Sequence, residues 1–269
     1  MPGSPAQAAQ TRRAGVDTAT VAVAATGAAA WAGTIVWARS MDMRVSPGTM
    51  GLGFAAFVAM WSLMMAAMML PSVAPLASLY ARTMTVNRRA RLGAFAAGYL
   101  LVWIASGVGG FALARTFGAA AEGSPGLARG LAVTAFAACG AYQLTPLKDL
   151  CLRHCRTPFG HLMHYLSFTG RARDLWVGAH HGLFCLACCW ALMVVLVALG
   201  VMNLLAMATL ALVIALEKRW RHGRELARAV GVVALAYALA VAMFPELAPG
   251  LDPAAVPTAP VEDMEDMGM

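Results

Sequence analysis

The sequence predicts an all-α protein, a polytopic transmembrane helical bundle of about seven spans. Three observations predict it. Of 269 residues, 60% are hydrophobic and 12% charged, roughly half the charge of an average soluble domain, with a mean hydropathy of +0.68. The apolar residues gather into runs of about 20, the length a helix needs to cross a hydrocarbon core of roughly 30 Å with its amides bonded within the segment. The 20 Lys and Arg residues fall mostly between those runs. This pattern excludes water-soluble enzyme folds, and it makes the net charge of +7 a topology signal rather than a nucleic-acid-binding patch.

The first run, 18–38, follows Arg12 and Arg13 and is too long for the apolar region of a signal peptide, so it reads as a retained anchor. Were it removed or peripheral, six spans would remain. The second run, 51–80, is interrupted by Pro71 and Pro75. The third and fourth are 92–114 and 127–147, and Gly93, Ala97, Gly107 and Gly110 suit close helix approach. The fifth and sixth, 175–199 and 201–217, meet at Gly200, which predicts a tight helical hairpin; the seventh is 228–245. Residues 1–17 are then a cytoplasmic N-terminus, 18–245 the transmembrane domain, and 246–269 an external Pro-rich linker with an acidic, Met-rich tail.

Orientation follows from charge. An internal N-terminus places Arg12, Arg13, Arg82, Arg88, Arg89, Arg91, Lys148, Arg153, Arg156, Arg171, Arg173, Lys218, Arg219, Arg221, Arg224 and Arg228 inside, leaving only Arg39, Arg44, Arg115 and Arg129 outside. The positive-inside rule selects that topology, with the C-terminus external and the lipid bilayer as first partner.

Soft ligands are concentrated in four places. The string MWSLMMAAMMLPS in the second run spaces Met60, Met64 and Met68 by four residues, and Met65 and Met69 likewise, so thioethers stack along one helix. Flexible gap-filling explains such residues one at a time; a ladder led by Met64 and Met68 also suits the passage of a soft ion such as Cu(I). In AHHGLFCLACCW, His181, Cys185 and Cys188 fall within about 60° on one helical face, with Cys189 adjoining and His180 pointing elsewhere. Imidazole at membrane depth needs a partner, which favours a ligand role over packing. After the fourth run, KDLCLRHCRTPFGHLMH carries Cys151, His154 and Cys155, then His161 and His164. Cys151 and Cys155 lack the paired knuckles of a structural zinc site, and reducing conditions inside leave metal or redox use open. Finally, Met41, Asp42 and Met43, and Met264, Met267 and Met269 in VEDMEDMGM, form external segments able to capture metal weakly; a disordered acidic tail is the plainer reading of the second.

Glu217 and Lys218 end the sixth run. A pair snorkelling to water is one reading; a carboxylate–histidine contact from Glu217 to His180 or His181, orienting a metal ligand, is the sharper one.

Together, MWSLMMAAMMLPSVAPL, GAYQLTPLKDLCLRHCRTP, HHGLFCLACCW and EKRW resemble a bacterial family of predicted metal-binding integral membrane proteins, over roughly residues 50–220. The resemblance implies the bacterial cytoplasmic membrane and a metal role for Met64, Met68, Cys151, Cys155, His180, His181, Cys185, Cys188 and Glu217. It carries no substrate or reaction.

The resulting expectation is a membrane metal-binding protein handling copper in transport, delivery or sensing, with a metallochaperone or membrane cuproenzyme as partner. A membrane oxidoreductase using haem, copper or cysteine redox is the alternative, and zinc the alternative metal. A bis-histidine haem lacks a second histidine on another span. A third reading is a structural or assembly subunit with no metal. No nucleophile–base constellation or phosphate loop supports an enzyme.

Overall fold

The computed structural model describes residues 5–40, 48–84, 86–157, 164–165, 167–244 and 247, with side chains from residue 21 onward. The described chain is all-helical: α1 (Pro5–Ser40), α2 (Phe54–Arg82), α3 (Arg88–Gly123), α4 (Pro125–Gln143), α5 (Pro146–Arg156), α6 (Arg173–Ala198), α7 (Leu204–Arg219) and α8 (Gly223–Met243).

Among the described residues five helices, rather than seven, are long and apolar enough to cross a membrane: Val21–Ser40 within α1, and α2, α3, α6 and α8. The two losses have physical causes. At 16 residues, α7 rises about 24 Å and falls short of the hydrocarbon core. The predicted fourth span breaks where Thr145 caps a new helix through Lys148 N and Pro146 occupies its first position, leaving a 19-residue α4 that contains Arg129. By contrast α2 runs unbroken through Pro71 and Pro75. The Gly200 turn is present, with φ +98°, a left-handed conformation that glycine adopts without steric cost. Asn203 then caps α7 by accepting from Ala206 N.

Close backbone approach holds α3 against α6. A Cβ at Gly98 would lie 2.0 Å from the Leu175 carbonyl oxygen, and one at Gly178 2.0 Å from that of Phe95. Only hydrogens fit there. Gly107 and Gly110 take the Trp61 ring, as expected of small residues in a helical bundle, whereas Gly93 faces open space. At one end of this pair, Asp174 accepts from Arg91 at 3.0 and 3.1 Å and from the Tyr80 hydroxyl at 2.6 Å, tying α2 and α3 to the first turn of α6.

The segment read as a loop after the fourth run is the helix α5, and its polarity is inverted. Leu147 and Leu150 are 56% and 62% exposed, while Lys148, Cys151, Leu152 and His154 face inward. Together with exposed Leu144, these leucines put apolar side chains outward up to exposed Arg153, while a lysine and a histidine face inward beside Leu152, the arrangement expected of a helix with apolar surroundings outside and polar groups behind it.

Candidate metal centre

The centre lies where α5 packs against the middle of α6 and the end of α7. Cys155, in the last turn of α5, lies beside Cys185 and Cys188 of α6, and its interaction with Cys185 first, then with Cys188, together with burial, pushes its thiol well above the usual range. Cys185 Sγ also meets the Tyr99 hydroxyl at 3.0 Å and the Lys218 ammonium at 3.0 Å. Cys189 lies beside Cys185 and donates to its carbonyl oxygen at 2.9 Å. Cys151 packs with Leu152, Cys188 and Ala227 in a small buried cluster, and burial pushes its thiol upward.

A buried charge system adjoins the thiols. Lys148 Nζ donates to Glu217 Oε2 at 2.7 Å and to the Cys188 carbonyl oxygen at 2.8 Å, while Gln143 Nε2 donates to Glu217 Oε1 at 2.7 Å. The side chains of Lys148 and Glu217 are 0% and 1% exposed. Burial alone would depress the lysine, but the charges at Cys188 and Glu217 outweigh it and keep Lys148 raised and cationic. Glu217, expected to orient His180 or His181, is held by other groups in this structure. Both its oxygens are engaged by Gln143 and Lys148, because the end of α7 meets the start of α5.

The histidines are organised by aromatic groups instead. The Tyr165 hydroxyl bridges His154 Nε2 at 2.9 Å and His181 Nδ1 at 3.3 Å, and burial raises its pKa, so it remains a phenol. His154 stacks on Phe184 with centroids 3.7 Å apart. His180, expected to point elsewhere than His181, lies against the same two rings: its centroid is 5.8 Å from that of His154 and 5.7 Å from that of Tyr165, and 5.5 Å from that of His164. His181 lines a cavity of about 250 Å³ with Cys155, Ser72, Lys218, Arg156 and Arg219. Arg156 donates from its guanidinium to the carbonyl oxygens of Glu217, Trp220 and Arg221, closing the end of α7 over the centre.

Met60, Met64, Met65, Met68 and Met69 are all buried in the main apolar core. The structure thus gathers Cys151, Cys155, Cys185, Cys188, Cys189, His154, His180 and His181 around one region and keeps Met64 and Met68 on α2. Met41, Asp42, Met43, Met264, Met267 and Met269 lie outside the described residues, as does His161. Sequence reasoning missed the inward lysines, Gln143, Tyr99 and Tyr165. Lys148 and Lys218 were read as cytoplasmic markers, since a lysine beside an apolar run ordinarily reaches for water. The legible signal was the i, i+3, i+6 run of Lys148, Cys151 and His154, which places them on one face.

Among the described residues, no three His, Cys, Asp or Glu side chains form a closed metal site. Cu(I) asks for less, since as few as two soft thiolates satisfy it.

No curated protein and no solved structure matches the chain. A family model described as PpoB2, copper chaperone, matches residues 58–241, the stretch from α2 to α8 that contains every residue of the thiol and lysine centre. The chain belongs to the PpoB2 copper chaperone family.

Proposed function

We propose that the chain is an integral membrane copper chaperone that holds Cu(I) between Cys155 of α5 and Cys185 or Cys188 of α6. The observation that carries this reading is the meeting of three thiols from two helices beside ammonium groups. Soft sulfur suits Cu(I), and a bis-thiolate Cu(I) unit is an anion that a buried cation stabilises. Loading is thiol exchange: a Cu–S bond to the donor breaks as one to Cys155 or Cys185 forms, and the thiol's proton passes to the departing sulfur. Cys151, Cys189, His154, His180 and His181 surround this pair as further ligands or as groups that set its shape. The buried thioethers of Met64 and Met68 offer a soft route that sets the loading rate.

In this reading the apolar helices lie in a bacterial cytoplasmic membrane, N-terminus inside and C-terminus outside, where the Met/acid segments around Met41 and Met264 collect metal weakly. Delivery is to a metallochaperone or a membrane cuproenzyme. The test is equilibrium Cu(I) titration of detergent-purified protein against a chromogenic Cu(I) chelator. Wild type binds; Cys155→Ser with Cys185→Ser loses at least about a hundredfold in affinity. Unchanged copper content in that double variant would overturn the thiol centre.

A further inference from the structure

The two inward lysines differ in what neutralises them. Lys148 is matched by the Glu217 carboxylate at 2.7 Å. Lys218, next to Glu217 in sequence, has other partners: its ammonium donates to Cys185 Sγ at 3.0 Å and to Ser72 Oγ at 3.3 Å. Among the described residues it forms no ion pair with a carboxylate. The cavity it lines also holds Arg156 and Arg219, and none of its lining residues is acidic. A positive charge is therefore aimed at the sulfur proposed to hold the cargo, in a cavity whose walls carry no carboxylate to balance it.

We infer that Lys218 is a specificity-determining residue that makes the thiol centre favour a monovalent soft ion over divalent thiophilic ions. This deepens the thiol-centre reading and rests on it. Two thiolates with Cu(I) leave one negative charge, which the Lys218 ammonium cancels. Two thiolates with Zn(II) or Cd(II) are already neutral, so the same half-buried ammonium is left without a compensating charge in its cavity, and that state is penalised. Lys148 cannot supply this bias, because Glu217 already balances it. Ser72 keeps the ammonium oriented, its own hydroxyl donating to the Met69 carbonyl oxygen at 2.8 Å, so the preference is built into the packing of α2 against α7.

The experiment compares full-length wild type, Lys218→Met and Lys218→Arg in detergent under reducing conditions, titrated with Cu(I) against a chromogenic chelator and with Cd(II) by its thiolate charge-transfer absorption. Wild type is expected to take Cu(I) far more tightly than Cd(II). Lys218→Met lowers Cu(I) affinity by roughly tenfold to a hundredfold and raises Cd(II) affinity by about tenfold, whereas Lys218→Arg keeps the wild-type order. Should Lys218→Met fail to fold, Lys218→Gln removes the charge while keeping a donor for Ser72, with the same expectation. A ratio of the two affinities that stays within about twofold of wild type in the neutral variants would overturn the inference while leaving the thiol centre standing. No Cu(I) binding by wild type, or binding indifferent to Cys155→Ser with Cys185→Ser, would overturn the thiol-centre reading and this inference with it.

Discussion

Two regions of the molecule are rich in sulfur and equally buried, yet they are built on opposite principles. The Met60–Met69 stretch of α2 sits in an apolar core in which each thioether packs as a hydrocarbon would. The Cys155, Cys185 and Cys188 region brings two ammonium groups, a carboxylate, a carboxamide and two tyrosines into the same interior. A thioether carries no charge in any state. A thiol that is to bind metal must lose a proton, so its surroundings have to manage charge, and among the described residues the buried lysine and glutamate, Lys148 and Glu217, are found there.

The sharpest way to break this contrast is to remove half of the charge balance. Glu217→Ala leaves Lys148 buried and unpaired and is expected to cost about 3–5 kcal/mol, read as a large fall in thermal stability in detergent. Lys148→Met combined with Glu217→Leu should recover most of that loss; a double variant no better than the single one would show that the pair's worth lies in the hydrogen bonds to Gln143 and Cys188. Next in size is the loss of Cu(I) affinity in Cys155→Ser with Cys185→Ser, at least about a hundredfold, or roughly 2.7 kcal/mol.

Acidity should separate the regions as well. Because Cys155 is pushed above its usual range by Cys185, Cys188 and burial, it is protonated at neutral pH and must release that proton on binding. Cu(I) affinity is therefore expected to rise about tenfold per pH unit for each proton displaced, from pH 6 to 8, and competition titrations at several pH values read the slope. A flat profile would mean that thioethers or imidazoles carry the metal. The smallest effect belongs to the other region. Met64→Leu with Met68→Leu should cost under about 1.5 kcal/mol each and leave Cu(I) affinity within roughly threefold, while slowing loading in a stopped-flow transfer assay.

What was legible in the sequence was whatever depends on composition and helical spacing. The apolar runs, the Gly200 turn, and the His181, Cys185 and Cys188 face are local patterns, and they recur in the fold. The remainder depends on which element lies opposite. Lys148 and Lys218 flank apolar runs, where a lysine ordinarily reaches water, and only the packing of α5 against α6 and α7 turns them inward. Glu217 was expected to orient a histidine because the hairpin register brings them to similar depth; the inserted helix α5 presents Lys148 to it first. The overcount of spans came from reading apolar length alone, which overlooks the Thr145–Pro146 break and the short α7. Gly98 and Gly178 are the reverse case, glycines with no marked pattern that set a close backbone approach between α3 and α6.

Arg156 gives the centre a mechanical handle. Its guanidinium grips three carbonyls at the exit of α7 while its neighbour Cys155 lies beside the two α6 cysteines. The exposed turn at Trp220 and Arg221 is thereby tied, through one side chain, to the last turn of α5, so the surface of the molecule and the thiols beneath it share a single strut.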